Sequence, residues 1–250
     1  MAGQLFAPHY ARPTVRACGL SPRLLRSGPS DSAPAVSELL PGEEFAVVDV
    51  TAGWAWGYCR ADHRVGYVEA IELVAPFEAT HVVIEASAPV EAGADLLSPT
   101  LTGLPMGSRL SGEVQGALLR IEAGFVPLSY LRRVGHYEED PVAAAQRLLG
   151  VPYRQGGRTI QGVDGPGLIQ LALRQCGTPA PREADLQTAL GEPVPDGATL
   201  RRGDLVFCAG APGLMVDDQL VIHITPDTGK VSIEPLRCLP SEGLQRRRLA

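Results

Sequence analysis

At 250 residues and a formal net charge of −6, the chain is long enough for more than one core. It is also too acidic, without a clustered basic face, to suit a nucleic-acid partner. Hydrophobic residues make up 45% of it, and proline, glycine or charge interrupts every apolar run before it reaches the length of a membrane span.

The five cysteines are odd in number and lack Cys-x-x-Cys spacing. They point away from a metal centre or disulfide framework and towards free thiols in a reducing cytoplasm, and no cofactor is expected. Residues 1–12 read as a loose lead-in without the basic start and apolar core of a secretory signal. Over 13–76, segments at 14–20, 44–50, 54–59 and 64–68 alternate in polarity between turns at Gly42, Ala52-Gly53 and Ala61-Asp62, which predicts a small β-barrel. The same grammar recurs over 79–134, where Gly107-Ser-Arg-Leu parallels Gly42-Glu-Glu-Phe and Gly124-Phe-Val parallels Gly66-Tyr-Val.

Beyond 138 the pattern changes. A helix is predicted over 141–150, with Glu138, Glu139 and Asp140 at its start, and a second runs from Pro166 to a glycine stop at Gly177. A polar loop over 191–199 and short strands at 200–207, 213–216, 220–224 and 231–234 follow. Helices ahead of an antiparallel sheet make 138–250 an α+β domain. The basic run Gln245-Arg-Arg-Arg248 reads as a solvated tail.

The stretch from Tyr153 to Leu168 carries the strongest signal. Tyr153, Gln155, Gly156, Gly157, Asp164, Gly165, Pro166, Gly167 and Leu168 keep the spacing of a Tyr-x-Trp-Gly-Gly…Asp-Cys-Ser-Gly-Leu frame. In this the chain resembles the NlpC-type cell-wall cysteine peptidases, papain-like enzymes that cut muropeptides. The Trp54-Ala-Trp strand and the Val65-Gly-Tyr-Val ending resemble bacterial SH3-like domains. Tandem SH3-like barrels ahead of an NlpC-type domain resemble a muropeptide endopeptidase subgroup that acts in wall recycling.

The resemblance also assigns the chemistry. A helix N-terminus favours a thiolate, which is why a nucleophilic cysteine would stand there; this chain has Gly165. The base would begin a Gly-His-Val-Gly-Ile-Met strand, and here Gly210-Ala211-Pro212-Gly213-Leu214-Met215 puts Ala211 in its place. The third member maps to His223, which is either that inherited residue or a core histidine satisfied by one hydrogen bond. Peptide-contact positions map to Tyr153, Asp164, Arg182 and Glu183, the last an aspartate in the family. Arg182 has the planar fork that suits a carboxylate.

The expectation is therefore a catalytically inactive relative that binds a muropeptide or other small acidic peptide, or regulates a partner. Two alternatives stand beside it: an active cysteine peptidase with Cys208 as relocated nucleophile, and an interaction scaffold whose SH3-like face binds a protein. Cys176 lies about 15 Å along the helix at its negative end, a poor place for a thiolate. The histidines show no metal-ligand spacing.

Overall fold

A computed structural model describes residues 12–95, 97–195, 197–208, 211–239 and 243–249. The lead-in expected over 1–12 and the residue Gly210 thus lie outside, or almost wholly outside, the described residues.

The first unit holds β1 (Thr14–Cys18), β2 (Arg23–Arg26), β3 (Ala35–Leu39), β4 (Glu44–Thr51), β5 (Trp54–Cys59), β6 (Val65–Glu69) and β7 (Leu73–Val74). They form one sheet in the order β3-β2-β6-β5-β4-β1-β7. Alternation along β5 sends Ala55 and Cys59 inward against Leu25, Leu39, Phe45 and Val68. The sequence pattern finds β4, β5 and β6 but misses β2 and β3. Ser37 and Glu38 on β3 are both buried, so the strand lacks the polar-out alternation that marks a half-exposed strand.

The second unit contains β8 (His81–Val83), β9 (Ser87–Glu91), β10 (Thr100–Pro105), β11 (Arg109–Leu110), β12 (Glu113–Gln115), β13 (Leu118–Ile121), β14 (Gly124–Pro127) and β15 (Leu131–Arg133). A five-stranded sheet, β10-β9-β14-β13-β12, and a three-stranded one, β11-β8-β15, enclose Val83, Val90, Leu104, Leu119 and Val126. The two units meet at matching turns. The Arg109 N–H donates to Pro41 O at 2.8 Å. Gly42, at φ +74°, is obligatory there because a β-carbon would stand 2.2 Å from Arg109 O.

The remainder is α+β. It comprises α1 (Pro141–Gln146), β16 (Arg158–Thr159), β17 (Gly162–Val163), α2 (Gly165–Gln175), α3 (Ala184–Gln187), β18 (Glu192–Pro193), β19 (Leu205–Cys208), β20 (Ala211–Met215), β21 (Leu220–His223), β22 (Ser232–Pro235) and β23 (Gln245–Arg248). Six strands pair in the order β18-β23-β19-β20-β21-β22. Leu168, Ile169, Leu171 and Leu173 of α2 pack among Val142, Phe207, Leu214 and Ile222, and Leu40 and Met106 of the preceding units join this cluster.

Two expectations are corrected. The first helix ends at Gln146 rather than running to 150. Leu148 and Leu149 bond three residues back, and Gly150, at φ +83°, turns its N–H to Val231 O. The run 245–248 is no solvated tail but the strand β23 between β18 and β19, with Leu205 opposite Arg247. Its charge is tied down locally. Arg248 pairs with Asp204 at 2.6 Å, and Arg247 Nε donates to Thr188 O.

Candidate functional site

The site begins with the local logic of α2. Asp164 is its N-cap, extended at ψ 171°, and its Oδ1 accepts the Gly167 N–H at 2.8 Å. Pro166 sits in the first turn, where a missing N–H costs nothing to the helix. The second carboxylate oxygen of Asp164 accepts the Gly156 N–H at 2.8 Å and Arg182 Nη2 at 2.7 Å. Both side chains of this pair are almost fully buried, 3% exposed for Arg182 and 4% for Asp164.

Arg182 Nε donates to Ser37 Oγ on β3 at 3.1 Å, which couples the first unit to the start of α2. Tyr153 is half-buried and donates its hydroxyl to Gln155 Oε1 at 2.6 Å. Burial raises its phenol, Asp164 raises it further, and Arg182 opposes that rise. Tyr153, Asp164 and Arg182 therefore share one electrostatic neighbourhood. Glu183 is drawn elsewhere and pairs with Arg64 of the first unit.

At Gly165 there is no side chain and little room for one. A β-carbon would lie 3.1 Å from Pro212 Cδ, 3.4 Å from Pro212 Cγ and 3.2 Å from Ile224 O. Ala211, at the start of β20, is paired with Cys208 on β19, and its methyl group neither accepts nor donates a proton. His223 lies on β21 opposite Gly213, 2% exposed, with Nε2 3.3 Å from Glu234 Oε2.

Burial raises the thiols of Cys18, Cys59, Cys176 and Cys208. Cys176, the C-cap of α2, is pushed up to about 11 by burial first and by Glu138 and Asp140 second. Cys18 is pushed up to about 12, chiefly by burial, and Cys59 is also raised, again chiefly by burial. Among the described residues no group of histidine, cysteine and carboxylate side chains is arranged to hold a metal ion.

Comparison with known proteins assigns two segments of the chain. Residues 150–242 match the NlpC/P60 family model, and residues 25–73 match the bacterial dipeptidyl-peptidase Sh3 domain. The chain carries an NlpC/P60 domain behind an SH3-type domain. Over 88 residues it is 35% identical to the murein DD-endopeptidase MepS/murein LD-carboxypeptidase of Escherichia coli strain K12. That match covers 33% of this chain and 46% of the relative, so the chain spans about half the length of the curated protein it matches.

In fold, the chain is similar to an NlpC/P60 family protein from Bacillus cereus ATCC 10987. The TM-score is 0.80 at 17% identity, over 94% of this chain and 99% of that one. It is also similar to an NlpC/P60 endopeptidase from Photobacterium damselae subsp. piscicida, with a TM-score of 0.63 at 14% identity, over 88% of this chain and 66% of that one. No helix is long and apolar enough to cross a membrane among the described residues.

Within the NlpC/P60 domain, the frame from Tyr153 to Leu168 is legible from spacing, but the partners of its charged groups are not. From the first unit Ser37 accepts from Arg182 and Arg64 pairs with Glu183, and neither stands out in sequence. Pro212 is visible beside Ala211, but its contact with Gly165 depends on how β20 lies against α2. The proline is tolerated because the β20–β21 ladder begins only at Gly213.

Proposed function

We propose that this chain is a non-hydrolytic NlpC/P60 protein that binds a short acidic cell-wall peptide, or presents that site to a partner. The observation that carries the reading is Gly165. At the position of the nucleophile the side chain is missing, and the neighbouring space holds the Pro212 ring and the Ile224 carbonyl. Ala211 removes the base as well. Thiol proteolysis needs a thiolate and a proton acceptor, and the absence of both side chains at Gly165 and Ala211 supports this reading.

Peptide binding is supported by the charged pair next to it. Asp164 and Arg182 are held by each other and by backbone amides, so they are pre-positioned. Arg182 Nη1 makes no hydrogen bond among the described residues, which leaves one arm of the fork for a ligand carboxylate. Tyr153 borders the same ground, whereas Glu183 is engaged by Arg64 and leaves the fork uncontested. Free thiols at all five cysteines support a reducing compartment such as the cytoplasm, and hence released muropeptides rather than intact wall as ligand.

The test is to incubate the full chain with L-Ala-γ-D-Glu-diaminopimelate for a day and follow the peptide by NMR. Broadened but uncleaved signals are expected. Arg182→Lys, which keeps the charge but loses the fork, should weaken binding about tenfold. Cleavage that persists through repeated purification overturns the reading. Unchanged signals would favour a scaffold acting through the SH3-type face, where Trp56 on β5 is 40% exposed and lies opposite Tyr67.

A further inference from the structure

A cavity of about 730 Å³ opens where the two N-terminal units meet the end of α2. Its wall includes Leu171, Arg174 and Gln175, in the last turns of the helix, whereas the NlpC/P60 site lies at the first. The two are separated by most of an 11-residue helix, about 15 Å. Cavities of this size at domain junctions are common places for small ligands.

Its wall is richer in arginine than in carboxylate, although Asp62 and Glu138 pair with Arg174 and Arg132 from behind it. Five arginines, Arg60, Arg109, Arg132, Arg158 and Arg174, face three glutamates, Glu43, Glu44 and Glu78. Two of those glutamates are already engaged. Glu43 accepts Arg158 at 2.8 and 2.9 Å and Arg174 at 2.8 Å, and Glu44 accepts Arg60 at 2.7 Å. Arg109 is exposed and has no acidic partner among the described residues.

Arg132 is the more telling residue. Its Nη2 donates to Gln175 O and Oε1, both at 2.9 Å, which offsets the negative end of α2. Its Nε and Nη1 are buried without a hydrogen bond, although Glu138 Oε1 stands 3.4 Å from Nη1. The Nε of Arg158, a side chain 1% exposed, is also unbonded. Buried donors of this kind favour an incoming acceptor, because they have already lost their water. Phe77, Val82, Val134 and Leu171 supply an apolar wall beside them.

We propose that this three-way junction binds a small molecule bearing a multiply charged oxyanion, carboxylate or phosphate, on a partly apolar body. Guanidinium forks match both anions, and the apolar wall takes the rest of the ligand. None of Tyr153, Asp164, Arg182 and Glu183 lines this cavity, so the site is independent of peptide binding at the start of α2. Because the lining comes from all three parts of the chain, bound ligand would hold them together and raise the melting temperature.

Calorimetric titration of the full chain with citrate and, separately, with inorganic pyrophosphate at low salt tests this. Saturable binding of at least one probe is expected, weakening as salt is added. Arg109→Gln, at an exposed position that the fold does not need, should weaken it about tenfold, as should Arg132→Gln. Arg182→Lys should leave it unchanged. Citrate alone, pyrophosphate alone or both binding identifies the favoured oxyanion and supports the site. Failure of both probes to saturate overturns the proposal, as does undiminished binding by Arg109→Gln.

Discussion

Pro212 and Gly165 touch so closely that a β-carbon on Gly165 would stand 3.1 Å from Pro212 Cδ. Placing a thiol at Gly165 is therefore a packing problem as well as a chemical one. Gly165→Cys alone is expected to remain inactive and to lose about 1 kcal/mol of stability, the cost of overpacking less the gain in helix propensity. Adding Pro212→Val should recover that stability, and Ala211→His would then be needed before any peptide bond is cut. Urea unfolding and peptide hydrolysis, measured on the single, double and triple variants, check the order.

The Asp164–Arg182 pair predicts a large and asymmetric cost. Arg182→Ala leaves a buried carboxylate with only the Gly156 and Gly167 amides and should destabilise by about 3–5 kcal/mol. Asp164→Asn keeps an N-cap acceptor and should cost less, although it weakens the hold on Arg182. Chemical denaturation of both variants measures the difference. Equal losses would mean that the buried guanidinium left without its counter-charge costs as much as the buried carboxylate left without its own.

Glu43 links the first unit to α2 and to β16, and its titration sets an acid limit. Burial by itself would raise its carboxyl, but Arg158 and Arg174 hold it down to about 2 from 4.5. A group whose folded value is depressed adds stability above its unfolded value and loses it as pH falls through the folded one. The chain should therefore shed about 3 kcal/mol between pH 4.5 and pH 2 through this residue. Glu43→Gln should be less stable at pH 7 and show a flatter acid limb, read from urea midpoints across that range.

Cysteine labelling tests the relocated nucleophile. Cys238 is exposed and should react first with a thiol reagent at neutral pH. Cys208 should label slowly because burial keeps it as the thiol. Peptide mapping by mass spectrometry gives the order. Rapid labelling of Cys208, together with hydrolysis lost in Cys208→Ala, would restore an enzyme to consideration.

Local pattern alone carries the strands read at 44–50, 54–59 and 64–68 and the helix capped by Asp164. These are properties of period, turn residues and spacing, which a chain displays before it folds. Tertiary structure alone decides the rest. Ser37 and Glu38 make β3 unreadable because they are buried against arginines; Glu38 accepts the N–H of Arg158 across 120 residues of chain. The run ending in Arg246, Arg247 and Arg248 misleads for the same reason, since Arg247 and Arg248 of β23 find Thr188 and Asp204 only when the sheet closes. The junction cavity and the Pro212–Gly165 contact likewise exist only between segments distant in sequence. Burial and charge pairing are properties of neighbours in space, and no one-dimensional pattern encodes which neighbours those will be.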